Sequence, residues 1–163
     1  MANTTNLTVG DLVVRYGKVM KVFQINQDTV SLQPFSTLKT KNSLTFTLKR
    51  GQAHEGHIRP LVSKAKLKQL LDLIIKKPLT KDRCPVYNAD TALRQNKFAD
   101  TLWVIKTLWL EKQEKSNTLP GGKLTIFQQA LIQITEEIAA VNHISPQQAK
   151  ILLLSGLKSS LKT

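Results

Sequence analysis

Two short stretches of the sequence contain residue types that could carry chemistry, but neither has the spacing that this chemistry requires. His54, Glu55 and His57 form the tetrapeptide HEGH. Zinc proteases need two histidines four positions apart on a helix, with a third ligand beyond them. Residues 120–123 read PGGK, yet Leu124 replaces the Ser or Thr that would meet magnesium in a phosphate-binding loop. We expect neither a metal site nor a nucleotide site.

Nucleophilic and acid–base catalysis are equally poorly supported. Cys84 follows Arg83, whose charge would favour the reactive thiolate, but no histidine stands nearby in sequence to act as a base. Glu136 and Glu137 are adjacent on a predicted helix and therefore point in different directions. We expect no catalytic residue and no cofactor, and the protein is not predicted to be an enzyme.

The charge balance is the strongest functional signal in the composition. Twenty-four Lys and Arg residues against eleven Asp and Glu residues leave a formal net charge of +13. Such a field attracts polyanions, so nucleic acid is the expected partner. An anionic membrane surface and an acidic protein face stay open as alternatives. The seven basic residues between Lys64 and Arg83 fit a solvated helix face as well as a surface that follows phosphates.

The remaining composition indicates a folded protein of the cytoplasm. The chain is 41% hydrophobic and has no apolar run near the 18 or so residues of a membrane span. No basic patch followed by an apolar stretch opens the chain, so no secretory signal is expected. One cysteine excludes an internal disulfide and agrees with a reducing compartment.

Up to about residue 60 the pattern is that of strands. Residues 12–25 are rich in Val and Ile around Gly17, as where two strands meet at a tight turn or one strand bends sharply. Residues 29–35 and 43–49 then alternate apolar with polar side chains, the period of a sheet with one buried face, with the apolar positions at Val30, Leu32, Leu44, Phe46 and Leu48. Four or five short strands predict a small half-open barrel.

Beyond residue 63 the apolar period lengthens to between three and four, which predicts helices. Ser63 is a cap residue in front of the first helix, and Pro78 predicts its end. A short helix is expected from about Ala89. Residues 119–122 are predicted to form a turn before the longest apolar stripe in the chain.

Two further helices follow from apolar stripes, and a last one from its cap. Ser145, Pro146 and Gln148 form a capping box with proline at the first helical position, which predicts a final helix to about Leu157. The stripes comprise Phe98, Leu102, Ile105 and Trp109, and then Leu124, Phe127, Leu131, Ile134, Ile138 and Val141.

The two tryptophans cannot both face the same core. Six positions at 100° per residue place Trp103 roughly 120° around the helix from Trp109. Trp109 lies on the apolar stripe and is expected to pack inside the protein. Trp103 is either a second internal contact or part of a partner surface.

The predicted fold class is α+β, with two domains. A small half-open β barrel spans residues 1–62, and an all-helical bundle of about four to five helices spans residues 63–163.

Two stretches resemble the CarD/CdnL family of bacterial transcription regulators, whose N-terminal module also occurs in the transcription-repair coupling factor. The first combines VGDLVVRYGKV at residues 9–19 with residues 43–75, including Arg59, Pro60 and Ser63 of the family's "RP-(V/I)-S" motif. The second runs from Phe98 to about residue 149, where the family has an "LW" helix, an "LS-GEK" turn and a long helix. Together the two stretches cover most of the chain.

The resemblance implies a Tudor-like (SH3-like) module that binds the RNA polymerase β subunit, and a helical domain that contacts upstream promoter DNA and stabilises the open complex. In the family the polymerase contact involves the last strand of the module, which corresponds to residues 43–48. We therefore expect this contact from Thr45, Phe46, Thr47 and Leu48. A monomer in the cytoplasm, associated with the nucleoid and not with a membrane, would fit this function.

Double-stranded DNA is expected to be held mainly by its backbone. We expect phosphate contacts from Arg83, Arg94, Lys97 and Lys123, and a stacking or groove-edge contact from Tyr87.

Several positions depart from the family pattern. Relatives insert a tryptophan into the minor groove, and Arg83 stands about where that residue should be, while Tyr87 matches the family's tyrosine. The "GEK" turn has Lys123 in place of glutamate and Leu124 in place of lysine, and Thr47 replaces an arginine found in some relatives. An apolar wedge unstacks a base step, which an arginine does not do.

Two other functions stay open at the level of sequence. The protein could be an adaptor that binds polymerase or another protein without productive DNA contact, which the missing wedge favours. A weaker alternative is an RNA-binding protein with an SH3-like module, but only 6% of the residues are aromatic.

Overall fold

The structure is a computed structural model that describes residues 7–35, 44–49, 58–76 and 86–159, except for the side chains of residues 74–76 and 86–87. The chain divides into two compact units, Met1–Leu61 and Val62–Thr163. The first unit is a β module and the second is helical, so the α+β fold class is confirmed.

The described residues of the β module form a curled, five-stranded antiparallel sheet in the form of a half-barrel. The strands lie in the order β4-β3-β2-β1-β5, so β4 and β5 are the two edges among the described strands. The strands are β1 (Leu12–Arg15), β2 (Lys18–Ile25), β3 (Thr29–Pro34), β4 (Phe46–Lys49) and β5 (Ile58–Pro60).

Of the two interpretations of the residues around Gly17, the tight turn is correct, and it joins β1 to β2. Arg15 pairs with Lys18, which leaves Tyr16 and Gly17 as a two-residue loop. Both loop residues have positive φ, 49° at Tyr16 and 76° at Gly17. This is the conformation of a type I′ turn, whose twist matches that of the flanking strands. Glycine reaches that region without steric cost, which explains its place in the hairpin.

One face of the sheet forms the core of the β module. Its buried residues are brought together by cross-strand pairing, as in the pairs Val13–Met20 and Val22–Leu32. The cluster comprises Val13, Met20, Val22, Val30 and Leu32, with Leu7, Ile25, Leu48 and Ile58 packed at its margin.

The prediction of a buried apolar face is confirmed for β3 and wrong for two residues at β4. Val30 and Leu32 are 2% and 0% exposed, whereas Leu44 is 72% and Phe46 40% exposed. Leu44 precedes β4 and has no strand partner, and Phe46 lies on an edge strand; alternation along a sequence does not say whether the apolar side is covered.

The helical unit contains five helices in its described residues. They are α1 (Lys64–Lys76), α2 (Val86–Arg94), α3 (Phe98–Glu114), α4 (Gly121–Asn142) and α5 (Pro146–Ser159). The predicted short helix begins at Val86, three residues earlier than expected. The predicted end of α1 at Pro78 lies outside the described residues.

Both predicted helix caps are confirmed. The Ser63 hydroxyl accepts a hydrogen bond from the Lys66 N–H at 3.2 Å. At the start of α5, Ser145 N–H donates to Gln148 Oε1 at 2.9 Å, and Gln148 N–H donates to Ser145 Oγ at 3.2 Å. This reciprocal pair is a capping box, and each cap satisfies N–H groups that the helix itself leaves without a partner.

The turn predicted at residues 119–122 lies earlier in the chain than expected, because the connection between α3 and α4 spans residues 115–120. Pro120 is the N-cap of α4 with extended backbone (φ −56°, ψ 149°), and the helix already begins at Gly121. The Leu124 N–H donates to the Pro120 carbonyl at 2.9 Å, which closes the first helical turn. Two glycines are poor helix formers, but here the long apolar stripe behind them sets the start of the helix.

The core of the helical unit is continuous across all five helices. The predicted packing of Trp109 is confirmed: it is 8% exposed, and its ring stacks on that of Phe127 with centroids 6.4 Å apart. Glu137 is buried in α4 and accepts a hydrogen bond from the Val62 N–H at 2.9 Å. The largest fully buried side chains of this unit are Leu102, Ile105, Leu108, Ile134, Ile138 and Leu157.

Candidate functional site

The residues predicted to bind the polymerase lie together at the edge of the β module. β4 pairs with β3 through register partners such as Ser31 with Thr47 and Leu32 with Phe46, and with no other described strand. The N–H and C=O groups along the outer side of an edge strand are available to a further strand. The edge of β4 can therefore accept an extended partner segment.

The side chains of this segment alternate between two roles. Thr45 Oγ1 accepts a hydrogen bond from Gln33 Nε2 at 3.2 Å, and Thr47 Oγ1 lies 3.3 Å from Ser31 Oγ. These contacts hold β4 against β3. Thr45 itself lies just before the strand, which begins at Phe46.

Phe46 and Leu48 lie on the opposite face of β4. Leu48 packs at the margin of the module core, while Phe46 is 40% exposed. Of the four predicted residues, Phe46 therefore offers the largest exposed apolar side chain to a partner, and Leu48 mainly stabilises the sheet.

An aromatic patch beside β4 was not predicted from the sequence. It consists of Arg15, Tyr16 and Phe46. The Arg15 guanidinium carbon lies 5.1 Å from the Tyr16 ring centroid and 5.5 Å from the Phe46 ring centroid. Arg15 lies in β1 and Phe46 in β4, and two other strands lie between them in the sheet order, so their contact is a product of the curl.

Two features of the aromatic patch suit it to binding. Tyr16 is 53% exposed, and the Arg15 Nε atom is buried with no hydrogen-bond partner among the described residues. A guanidinium between aromatic faces is held by cation–π attraction and keeps its planar set of donors. The Arg-Tyr pair before Gly17 was the available sequence signal, but nothing local connects it to Phe46.

In the helical unit the structure brings together two of the predicted phosphate contacts. Arg94 ends α2, and Lys97 is the N-cap of α3, with a turn of two residues between them. The turn depends on Asn96, which is buried and has a φ of 56°. Both basic side chains are exposed.

Arg94 is paired, but only at the surface. Its Nε donates to Asp90 Oδ2 at 2.7 Å, and the two side chains are 79% and 43% exposed. Exposed ion pairs of this type contribute about 0.3–0.5 kcal/mol, so a phosphate group can compete for the arginine. Lys97 provides no side-chain cap to α3, and Asp100 already places a negative charge in the first turn of this helix, where N–H groups favour anions.

Lys123 is placed quite differently from Arg94 and Lys97. Its Nζ atom lies 2.6 Å from Glu111 Oε2, and Lys115 Nζ lies 2.8 Å from Glu111 Oε1. The Lys123 side chain is only 16% exposed and that of Glu111 6%. The ion pair joins α3 to the first turn of α4, which gives Lys123 a structural contact within the protein.

The environment of Glu111 favours its ionised form. Burial alone would raise the pKa of Glu111, but hydrogen bonds and charge attraction from Lys115 and Lys123 outweigh it and hold this pKa below the ordinary value. At neutral pH the carboxylate therefore compensates both lysines.

The predicted DNA contacts do not form one cluster. Glu111 lies fourteen residues along the chain from Lys97, a rise of about 21 Å in a helix, so Lys97 and Lys123 belong to opposite ends of α3. Tyr87 is the second residue of α2, but its side chain, like the whole of Arg83, lies outside what the structure describes.

The exposure of Trp103 is compatible with both predicted roles, a second internal contact and part of a partner surface. Its side chain is 42% exposed on α3, while Lys106 one turn further on is buried. Burial lowers the pKa of Lys106 from its ordinary value.

The described residues also bear on two other kinds of site. They contain no group of three or more His, Cys, Asp or Glu side chains placed to hold a metal ion. The HEGH stretch and Cys84 lie outside them. None of the helices within the described ranges has both the length and the apolar character to cross a membrane.

Comparison with known proteins adds no identification. No protein-family model matches the sequence, and a search of curated proteins finds no match.

Proposed function

We propose that this protein is a transcription regulator of CarD type, which binds the RNA polymerase β subunit through its β module and the backbone of upstream promoter DNA through its helical unit. The β module would then be a Tudor-like (SH3-like) domain, in keeping with its five strands and curled antiparallel sheet. The protein would act in the cytoplasm, associated with the nucleoid, as a monomer.

The observation that carries the polymerase contact is the edge position of β4. Four residues expected to bind the polymerase follow one another at this edge, and the aromatic patch lies beside them. A strand added along β4 would gain main-chain hydrogen bonds, and side-chain contacts with Phe46 would add specificity.

The DNA contact is supported by exposed cations on a protein of net charge +13. Arg94 and Lys97 are both exposed at the α2–α3 turn. Contacts of this kind position the protein on a duplex without selecting its sequence.

The polymerase contact can be tested with a matched pair of variants of the full chain. Phe46→Ala is expected to weaken binding to bacterial RNA polymerase by about tenfold, because exposed aromatic anchors contribute most to such interfaces. Phe23→Ala is the control, since Phe23 is 53% exposed on the interior strand β2. Biolayer interferometry would measure both. Equal binding by the two variants would contradict the proposal.

A second candidate function is an adaptor that binds the polymerase without productive DNA contact. The ion pair of Lys123 with Glu111 favours it, because one of the predicted phosphate contacts already has an internal partner. The two functions differ in affinity for duplex DNA as a function of salt. A regulator that holds phosphates binds much more weakly as salt rises, whereas an adaptor shows only weak, nonspecific binding throughout.

A further inference from the structure

A groove between α1 and α5 in the helical unit has no role in the function proposed above. Its volume is about 600 Å³. The floor is made of leucines: Leu67 and Leu71 come from α1, and Leu153 and Leu157 from α5. Leu152, at 44% exposure, lies at its open side.

The apolar surface of α5 exceeds what its own packing uses. Residues 151–154 are four consecutive apolar residues, which extend well beyond a single helix face. Leu153 is buried, but Ile151 and Leu152 are 68% and 44% exposed. Apolar surface that is left open beside a groove commonly marks an interaction site.

The groove has more basic than acidic residues on its walls and on the two helices that form it. Lys64 and Lys68 line it together with one acidic residue, Asp72. Helix α1 has four lysines against this single aspartate, and α5 has two lysines and no acidic residue. A charge distribution of this kind favours an acidic partner and disfavours a basic one.

We propose that this groove binds an acidic amphipathic helix of a partner protein. Apolar side chains at i, i+4 and i+7 would lie on the leucine floor, and carboxylates on the flanks would meet Lys64 and Lys68. The α1 wall from Lys64 to Leu71 spans eight residues, about 12 Å, which matches two turns of a docked helix. The groove is a second site, independent of both the polymerase and the DNA contact.

Two other occupants fit the groove less well. Nucleic acid would place its phosphates on an apolar floor that offers them no hydrogen-bond donors. A fatty acid would leave much of its chain in water, because Leu152 is nearly half exposed at the open side.

The probe for this site is a synthetic peptide of about eighteen residues, composed of Leu, Glu and Ala, with Leu at i, i+4, i+7 and i+11. It would be labelled with fluorescein and titrated with the full-length protein under fluorescence anisotropy. Saturable binding is expected. A scrambled peptide of equal composition, and one with Lys in place of Glu, are expected to bind at least about tenfold more weakly.

Matched variants locate the binding to the groove. Leu152→Glu should lower the affinity for the peptide by at least about tenfold. Ile151→Glu, on the same helix but outside the groove, should change this affinity by less than about twofold. Circular dichroism would verify that each variant is folded.

The charge contribution is tested in the same way. Lys64→Glu/Lys68→Glu should lower the affinity for the peptide by roughly fivefold or more, because two attractive contacts become repulsive. Lys66→Glu/Lys150→Glu makes the same charge change outside the groove, with one lysine on α1 and the other on α5, and should have a clearly smaller effect.

Four results would overturn the proposal. They are no binding of the peptide, equal binding of the scrambled peptide, insensitivity to Leu152→Glu, and dodecanoate binding at this groove in place of the peptide. Sedimentation would detect a fifth: a dimer abolished by Leu152→Glu would assign the groove to a second copy of the chain and not to an acidic helix.

Discussion

The ion pair between Lys123 and Glu111 predicts that this lysine stabilises the fold. Measuring the energy of the pair tests this structural role against the predicted role in phosphate binding. Lys123→Met removes the charge and keeps most of the side-chain length, and Glu111→Gln removes the charge of its partner. The two atoms concerned are 2.6 Å apart, and the side chains are 16% and 6% exposed. A double-mutant cycle of these two changes isolates the energy of their interaction.

The expected magnitude follows from opposing terms. At an effective dielectric constant of about 20, two unit charges 2.6 Å apart attract by roughly 6 kcal/mol. Desolvation of both ions offsets several kcal/mol of this attraction. Lys115, which is 42% exposed, also remains close to Glu111 and compensates part of the charge when Lys123 is removed. We therefore expect a coupling energy of about 1–3 kcal/mol.

Urea unfolding, followed by tryptophan fluorescence, measures the free energy of unfolding of the wild type, both single variants and the double variant. The matched control is the cycle of Asp90→Asn and Arg94→Ala, because this pair is exposed and its coupling should be about 0.3–0.5 kcal/mol. If the coupling of Lys123 to Glu111 is no larger than that of the control, the lysine is not a structural residue.

The same pair predicts a pH dependence. The pKa of Glu111 is lower in the folded protein than its ordinary value of 4.5, because the favourable contacts of Lys115 and Lys123 exceed the effect of burial. The folded state therefore binds the proton less readily than the unfolded chain, and the stabilisation is complete above pH 4.5. It disappears as pH falls through the lowered folded pKa. The free energies of unfolding of the wild type and Glu111→Gln should thus converge in acid. A difference between them that stays constant below pH 4.5 would show that ionisation of Glu111 is not its cause.

Three further predictions concern other parts of the chain. Replacing Arg94 and Lys97 together by Ala should reduce the slope of log affinity for duplex DNA against log salt by about 1 for each phosphate contact that is lost. Fluorescence anisotropy measures this slope, and an unchanged slope would mean that neither residue contacts a phosphate. Ser145→Ala should lower the free energy of unfolding by about 1 kcal/mol in urea, because α5 then has only half of its capping box, whereas no change would show that water replaces the hydroxyl. Gly17→Ala should destabilise the protein by at least about 1 kcal/mol in the same assay, since φ is 76° there, and a neutral effect would mean that the turn can rearrange.

Local signals in the sequence were sufficient for most of the helices. The caps at Ser63 and Ser145 depend on hydrogen bonds between residues three apart, so the spacing of residue types reveals them directly. The start of α4 was harder to predict, because Pro120 and two glycines favour a turn while the packing of the following apolar stripe extends the helix.

The candidate sites depend on contacts that local patterns do not encode. Arg15 and Phe46 meet only because the sheet curls, and they are far apart in the sequence. Lys123 and Glu111 are twelve positions apart on different helices, and no spacing rule connects residues at that distance. The structure places Lys123 in the first turn of α4, and its ion pair with Glu111 could not be predicted from the sequence.

Fewer basic side chains can contact a duplex than the net charge of +13 suggests. Counterion release counts only the cations that reach phosphates, and several basic side chains of the helical unit already have internal partners. Lys123 would have to leave a buried carboxylate, at a cost comparable to the coupling energy above, whereas Arg94 would give up only an exposed pair. Lys97, close to Arg94 at the start of α3, adds a second exposed cation at the same turn. A duplex that binds the helical unit should therefore contact the α2–α3 turn in preference to the start of α4.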